Sequence, residues 1–272
     1  MTHRTRRPLA APITAAALVA TLLLAGCSGV SSSAQSDTPA QGRIVALLVD
    51  QTCDATPELT ELSTKALDVA VTAAANSGGT FLGEAITTDE YQTGTFSLAK
   101  NFTSDRANDA SVKRDLDEQA LTFRASSEAT DLTKGPTPDT PCGSDLLNAV
   151  SAAERAFAQT PGSKDRPKDL VFVTNGLVID QKKGGTNFVF DDITPAYVNK
   201  LIAAQKKKEL FPDLTGVNVH LVGLGLSDQN VTPEQVKAIE TFWSTLASKA
   251  GAASVTSVRS GSQIALGGGS EE

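Results

Sequence analysis

Residues 43–54 read RIVALLVDQTCD, and this stretch decides the fold. Residues 44–49 are six consecutive apolar residues, several of them β-branched, and polar residues follow at once. Such a run predicts a strand buried on both faces, in the middle of a parallel sheet. Ligands of open α/β sheets bind beyond the carboxyl ends of the strands, where Asp50, Thr52 and Asp54 stand here. Three oxygen side chains at alternate positions can converge on one hard cation, although such residues also cap helices.

Strands and helices alternate outward from this run. Thr56-Pro57 is typical of a helix start, and glycines at residues 78–79 end that helix. We expect further strands at residues 80–87, 93–102, 169–173, 217–222 and 253–258, and further helices at 105–129, 144–157, 194–210 and 232–249. Too few residues separate the second strand from the third for a parallel crossover, so the third should run antiparallel. The succession predicts an α/β fold, a doubly wound and mostly parallel sheet of order 3-2-1-4-5-6 with helices on both faces.

The amino-terminal residues predict export. Residues 1–26 contain three arginines near their start and then an apolar run that is too short for a comfortable membrane span. Residues 24–27 read LAGC, which resembles the lipobox of bacterial lipoproteins, whose cysteine is acylated and becomes the first mature residue. The resemblance implies a lipid anchor at Cys27 on the extracytoplasmic face of the cell membrane. Two arginines at residues 6–7 also resemble a twin-arginine signal, but Pro8 and a missing downstream match make that export route the less favoured one.

Composition divides the rest of the chain into three parts. Residues 27–42 are rich in Ser, Gln, Ala and Thr and predict a flexible tether, residues 43–260 predict the folded domain, and residues 261–272 predict a disordered tail. The formal net charge is −7, and the predicted signal peptide removes three arginines and no acids, which leaves −10. Because phosphate contacts need a basic surface, such an acidic chain is a poor nucleic-acid binder.

The chain has three cysteines. If Cys27 is lipidated, Cys53 and Cys142 are left as one possible pair in an oxidising compartment, and we expect them to form a disulfide. A reactive or metal-bound thiol is the less favoured alternative, because the sequence shows no cluster of His and Cys.

Over residues 42–259 the chain resembles the von Willebrand factor A domain family. Members of that family carry a metal-ion-dependent adhesion site, built from an Asp-x-Ser-x-Ser loop after strand one, a Thr from a second loop and an Asp after strand four. The corresponding loops here are DQTCD at residues 50–54, GSD at residues 143–145 and TNG at residues 174–176. The strand and turn VHLVGLG, and the later helix that contains Trp243, are also similar to the family.

This resemblance implies a site for Mg²⁺ or another divalent cation, formed by Asp50, Thr52, Asp54, Ser144 and Asn175. Relative to the family pattern, Asn175 removes one carboxylate and Asp54 restores one. Two alternatives remain open, since Asp54 can be misplaced and Asn175 can hydrogen-bond Asp50 or cap a turn. The implied function is a non-enzymatic domain that binds a protein or an envelope ligand. In the family an acidic residue of the partner commonly completes the coordination of the metal.

The chain also resembles a second class, the haloacid dehalogenase-like phosphohydrolases, which share the strand order and an Asp after strand one. In this alternative Asp50 is the nucleophile, Thr174 binds phosphate and Asp191-Asp192 holds magnesium. That family has a second Asp two residues after the nucleophile, where Thr52 stands here, so we rank it below the binding domain.

Other enzyme signals are few. The chain has two histidines, of which His3 belongs to the predicted signal peptide and His220 lies inside an apolar strand. We expect His220 to be a packed, neutral imidazole. The sequence therefore offers no good candidate for the histidine of a Ser/His/Asp triad. We therefore expect no enzyme activity.

Overall fold

The computed structural model describes residues 42–53, 55–87, 96–137, 145–178, 187–188, 191–227, 231–260 and 263–266. The strands are β1 (Ile44–Asp50), β2 (Thr80–Ile86), β3 (Leu98–Asn101), β4 (Lys168–Val173), β5 (Val217–Val222) and β6 (Ser254–Val258). The helices are α1 (Pro57–Asn76), α2 (Asp109–Arg124), α3 (Ser127–Thr133), α4 (Leu146–Gln159), α5 (Pro195–Lys207) and α6 (Pro233–Lys249), with a short 3-10 turn at Ser163–Asp165. All of them belong to the compact unit Thr38–Glu272.

These six strands form one sheet in the order β3-β2-β1-β4-β5-β6, which confirms the predicted order. β1 lies between two parallel neighbours, with Asp50 opposite Ile86 of β2 and Val49 opposite Val173 of β4. β3 runs antiparallel to β2, as expected. The carboxyl ends of the five parallel strands therefore lie at one edge of the sheet, called the carboxyl edge below, and their amino ends lie at the opposite, amino edge.

Three helices begin with a threonine followed by a proline. Thr56, Thr194 and Thr232 have extended backbones, and each side chain accepts a hydrogen bond from the backbone N–H three residues later. Proline is well tolerated after such a cap because the first N–H groups of a helix have no partner within it. The predicted starts of α1, α5 and α6 are confirmed, and Gln235 completes a capping box at α6.

β1 contributes to a core on each face of the sheet, and its apolar residues are buried. The core on one face includes side chains of α1, α2 and α3, and the core on the other includes side chains of α4, α5 and α6. Successive strand residues point to opposite faces, so β1 divides its side chains between the cores. Val45, Leu47 and Val49 lie in the first, and Ile44, Ala46 and Leu48 lie in the second. The prediction of a strand buried on both faces is confirmed.

The single helix predicted at residues 105–129 is wrong, because two helices occupy this region. α2 ends at Arg124, and α3 begins at Ser127. Ser126 between them has an extended backbone, and its hydroxyl accepts a hydrogen bond from the backbone N–H of Ala129 at 3.2 Å. A serine that caps a new helix therefore interrupts an apolar pattern that otherwise continues at helical spacing.

Several predictions concern residues outside the described ranges. These are the signal peptide, the lipidated Cys27, the tether up to residue 41, and Asp54, Cys142 and Ser144. Within the predicted tail, Ile264 is buried in the core that contains α1, so residues 263–266 contribute to the folded domain. Among the residues that the structure describes, no helix has the length and apolar character needed to cross a membrane.

Candidate functional site

Asp50 ends β1 at the carboxyl edge, and its carboxylate is almost completely buried, with 2% of the residue exposed. Its Oδ1 accepts hydrogen bonds from the backbone N–H of Thr52 at 3.1 Å and from the Thr52 hydroxyl at 2.7 Å. Its Oδ2 accepts a hydrogen bond from the Thr174 hydroxyl at 2.8 Å. A buried carboxylate needs such donors because water cannot solvate it. Asp50 therefore joins the loop after β1 to the loop after β4.

The loop after β4 is held by its own polar side chains. The Thr174 hydroxyl donates to Asp50 and accepts a hydrogen bond from the backbone N–H of Gly176 at 2.9 Å. Asn175 is fully buried, and its Oδ1 accepts from the backbone N–H of Leu177 at 2.8 Å. Its backbone carbonyl accepts from the N–H of Gly225 at 2.8 Å. The Asn175 side chain thus stabilises a turn through this oxygen, which is one of the alternatives that the sequence left open.

Gly176 continues this loop in a left-handed conformation, with a φ of 78°. A Cβ at this position would lie 2.7 Å from methyl carbons of Ile239 and of Leu224, so only glycine fits. The Gly176 carbonyl accepts a hydrogen bond from the indole N–H of Trp243 at 2.9 Å. Trp243 is buried, as expected, and it also positions the candidate site through this bond.

The loop after β1 is held from two further sides. Gln51 is mostly buried, and its amide Nε2 donates to the backbone carbonyls of Leu132 at 2.7 Å and Asp131 at 2.9 Å. These carbonyls lie in the last turn of α3, where helix carbonyls lack partners. Thr56 caps α1 through the N–H of Leu59 at 3.2 Å. Asp50 is thus presented by a loop that α1, α3 and β4 all support.

The structure brings together three of the five predicted site residues. Asp50 and Thr52 are in direct contact, and Asn175 follows Thr174, which contacts Asp50. Asp54 and Ser144 lie outside the described residues. The predicted metal site did not include Thr174. This residue directly follows β4, and its hydroxyl contacts Asp50.

Cys53 belongs to the same loop and is exposed. Cys142 lies outside the described residues, so the disulfide between Cys53 and Cys142 stays a prediction.

The contacting oxygens have a spacing that suits a cation. Asp50 Oδ1 and Thr52 Oγ1 are 2.7 Å apart. Adjacent ligands of an octahedral Mg²⁺ at about 2.0–2.1 Å lie roughly 2.9 Å apart, so these oxygens fit neighbouring positions once the hydroxyl proton turns away. Asn175 fits less directly because its Oδ1 accepts from a backbone N–H. Over the described residues no group of three or more His, Cys, Asp and Glu could hold a metal, but the predicted set relies on hydroxyls and on Asp54.

Acidic side chains outnumber basic ones on the described segments around the carboxyl edge. These segments are the first turns of α1, α4 and α6, the short helix α3 and the residues before α5. The acids are Glu58, Glu128, Asp131, Asp145, Asp191, Asp192 and Glu234, and the basic residues are Lys134 and Lys237. The resulting negative potential attracts cations and basic groups and repels acidic ones.

The residues of the phosphohydrolase alternative are only partly assembled. Thr174 contacts Asp50, but the Asp191 carboxylate is engaged by the Tyr197 hydroxyl and by the backbone N–H of Asn187 at 2.7 Å. Both of these donors belong to segments near the start of α5, so Asp191 already has a local structural role.

His220 is packed, as the sequence predicts. It is 8% exposed, with Nε2 3.3 Å from Asp169 Oδ1 and Nδ1 3.0 Å from the Thr256 hydroxyl oxygen. Asp169 also forms an ion pair with Arg43 at 2.7 Å. His220, Asp169 and Thr256 lie within β5, β4 and β6, and not in the loops that hold Asp50. The Asp169 carboxylate is paired with Arg43, which directly precedes β1.

Comparison of the sequence with protein-family models and with curated proteins finds no match.

Proposed function

We propose that this chain is a non-enzymatic binding domain that recognises a protein or envelope ligand at the carboxyl edge, around Asp50. The observation that carries the proposal is the buried Asp50 carboxylate, held by hydroxyls from the loops after β1 and β4. Burying a charged carboxylate costs free energy unless hydrogen bonds or a bound cation compensate for the lost water. Asp50 lies beyond the carboxyl end of β1, where α/β sheets bind their ligands. The von Willebrand factor A-like pattern of the sequence supports the same interpretation.

A divalent cation is part of the proposed contact. Asp50 and Thr52 would supply two adjacent oxygen ligands, and the sequence adds Asp54, Ser144 and Asn175 to the set. The cation, Mg²⁺ or a similar ion, would offer open coordination positions to an oxygen of the partner. Thr174 would keep its role as a hydrogen-bond donor to the second oxygen of Asp50.

The negative charge around the site limits which partner surfaces can bind there. The acidic side chains at the carboxyl edge repel a strongly acidic protein surface unless a cation intervenes. Asp54 would also take the coordination position that an acidic partner residue commonly fills in the resembling family. We therefore favour a partner that presents neutral oxygens or basic side chains.

Two contacts favour binding over phosphohydrolase chemistry. A nucleophilic carboxylate needs an oxygen that can reach the substrate, whereas both oxygens of Asp50 accept hydrogen bonds and the residue is buried. The proposed magnesium ligand Asp191 is bound by Tyr197 and by a backbone N–H.

The location is proposed from the sequence alone. The LAGC motif supports acylation of Cys27, and the preceding segment supports export, so the domain would stand on the extracytoplasmic face of the membrane. Two or more acyl chains bind a membrane stably, whereas one chain binds only marginally.

Calorimetric titration with Mg²⁺, Mn²⁺ and Ca²⁺ tests the cation. We expect saturable heat for the wild-type domain and none for Asp50→Asn, whose side chain has nearly the same shape without the charge. Asp213→Asn is the matched control, because it removes an exposed carboxylate from the amino edge. Equal heats for all three proteins would contradict the assignment of Asp50 as a ligand. Hydrolysis of a generic phosphate ester that disappears in Asp50→Asn would instead support the phosphohydrolase alternative.

A further inference from the structure

The amino edge carries a concentration of positive charge in an otherwise acidic protein. Three described segments form this part of the edge: residues 160–168, residues 206–216 and residues 248–253. Together they contain seven basic and three acidic side chains. The basic ones are Lys164, Arg166, Lys168, Lys206, Lys207, Lys208 and Lys249, called the basic patch below, and the acidic ones are Asp165, Glu209 and Asp213.

Backbone and side-chain contacts join residues 206–216 to residues 248–253 and to α4, the helix that directly precedes residues 160–168. The Ser151 hydroxyl of α4 donates to the Leu210 carbonyl, and the N–H of Leu214 donates to the Ala250 carbonyl at 2.7 Å. Lys164, Lys206, Lys207, Lys208 and Lys249 are exposed, so five of the seven basic side chains can reach an external anion. Because the patch sits on helix ends and short connections, its geometry is fixed by the fold.

The acidic residues of these segments do not neutralise the patch. Hydrogen bonds from the Thr215 hydroxyl and backbone N–H hold the pKa of Asp213 below its usual range, so this carboxylate stays charged near pH 7. Even with Asp165, Glu209 and Asp213 all ionised, the basic side chains exceed them by four. The carboxyl edge has the opposite balance.

The chain enters the folded domain at this same edge. The Arg166 guanidinium donates to the carbonyls of Gly42 and Arg43 and to the Thr80 hydroxyl. A Cβ on Gly42 would lie 2.1 Å from the Ser77 carbonyl oxygen, so residue 42 is packed tightly against the turn after α1. Whatever precedes residue 42 therefore leaves the domain beside the basic patch.

We propose that the basic patch rests on the anionic lipid headgroups of the membrane that holds Cys27. The proposal builds on the lipid anchor of the proposed function and adds an orientation to it. Fourteen residues, 28–41, separate Cys27 from the described domain, and if they form the flexible tether that the sequence predicts, their end-to-end distance would be about 20 Å. The amino edge is thus kept close to the headgroups, whereas the acidic carboxyl edge is repelled by them and faces outward, where a partner can reach Asp50.

Charge complementarity favours lipid as the occupant of the patch. Basic side chains near an anionic leaflet gain about fivefold in partition each, and the effect decays within a Debye length of roughly 8 Å at physiological salt. Three lysines at the end of α5 therefore account for about a hundredfold. Because the predicted tether holds the amino edge near the membrane, anionic lipid is the occupant that this surface meets first.

Vesicle flotation of residues 28–272, which contain the whole compact unit and lack the lipidated cysteine, tests the proposal. We expect flotation with vesicles that contain phosphatidylglycerol at low salt, little with pure phosphatidylcholine vesicles, and loss of binding at high salt. The variant Lys206→Glu/Lys207→Glu/Lys208→Glu should bind at least a hundredfold more weakly. The control Lys65→Glu/Lys134→Glu/Lys237→Glu makes the same change in net charge on exposed lysines outside the segments of the patch, and it should lose much less.

Three results would overturn the proposal: no flotation of the wild-type chain, equal binding by the patch variant and the wild type, or equal losses in the patch and control variants. The test is independent of Cys27, because the protein used carries no lipid. If the lipid anchor is wrong, the full-length Cys27→Ser protein instead fractionates with high-salt-washed membranes as the wild type does, so the two failures can be told apart.

Discussion

The hydrogen bond between Thr174 and Asp50 can be tested by replacing Thr174 with valine, which has nearly the same shape but no hydroxyl. The change removes the 2.8 Å donor to Asp50 Oδ2 and the 2.9 Å acceptor of the Gly176 N–H. Both partners are buried among residues of the carboxyl edge, and Thr174 itself is 0% exposed. Water cannot easily replace the lost hydroxyl, so each partner loses a hydrogen bond at a buried position.

The magnitude follows from the two partners. A hydrogen bond to a charged group contributes about 1.5–3 kcal/mol and a neutral one about 1 kcal/mol. We therefore expect Thr174→Val to lower the free energy of unfolding by about 3 kcal/mol, which corresponds to a fall in Tm of roughly 6–12 °C for a domain of this size. Thr174→Ser is the matched control, because it keeps the hydroxyl and loses one methyl group, at a cost of about 1 kcal/mol.

Urea denaturation followed by circular dichroism measures both variants under the same conditions. The reasoning is refuted if Thr174→Val unfolds within about 1 kcal/mol of the wild type. It is equally refuted if Thr174→Ser is as destabilised as Thr174→Val, because the hydroxyl would then not be the source of the effect.

The remaining predictions concern the anchor, the disulfide and the loop after β4. Cys27→Ser should release the protein from membrane fractions washed at high salt, which removes binding through the basic patch, and unchanged fractionation after that wash would contradict the lipid anchor. Cys53 and Cys142 should resist alkylation until reduced, closing a loop whose cross-link contributes up to about 4 kcal/mol, and intact mass with and without reductant decides this. Two freely alkylated thiols in exported protein would rule out the pair. Gly176→Ala should destabilise the domain by more than about 2 kcal/mol, because its φ is 78° and its Cβ would meet apolar side chains, and thermal denaturation measures the loss.

The fold was largely predictable because its signals are local. β1 is an unbroken apolar run, and α1, α5 and α6 each begin at a threonine and a proline. Once these elements are recognised, few connections join them in a parallel sheet. The break between α2 and α3 was missed because a serine occurs both as a helix cap and on the exposed face of a helix. The sequence does not show which of the two roles Ser126 has.

The candidate site was only partly predictable, because its decisive contact joins residues that are distant in sequence. Asp50 and Thr174 are 124 residues apart. Their proximity follows from the pairing of Val49 with Val173, which no local pattern reveals, although the predicted strand order does make β1 and β4 neighbours. The turn made by the Asn175 side chain also depends on backbone geometry, so the sequence could not separate a ligand from a cap.

Nuclear magnetic resonance with substoichiometric Mn²⁺ tests the central claim most directly, because a bound paramagnetic ion broadens the amide signals nearest to it. If the cation binds at the carboxyl edge, the amides of Thr52, Thr174 and Asn175 lose intensity first in the wild-type domain. The signals of Gly42 and Lys207 at the amino edge keep their intensity, and Asp50→Asn abolishes the selective loss. Broadening that spares the three carboxyl-edge amides, or that is the same in Asp50→Asn, would contradict the claim that Asp50 forms the core of a cation-dependent binding site.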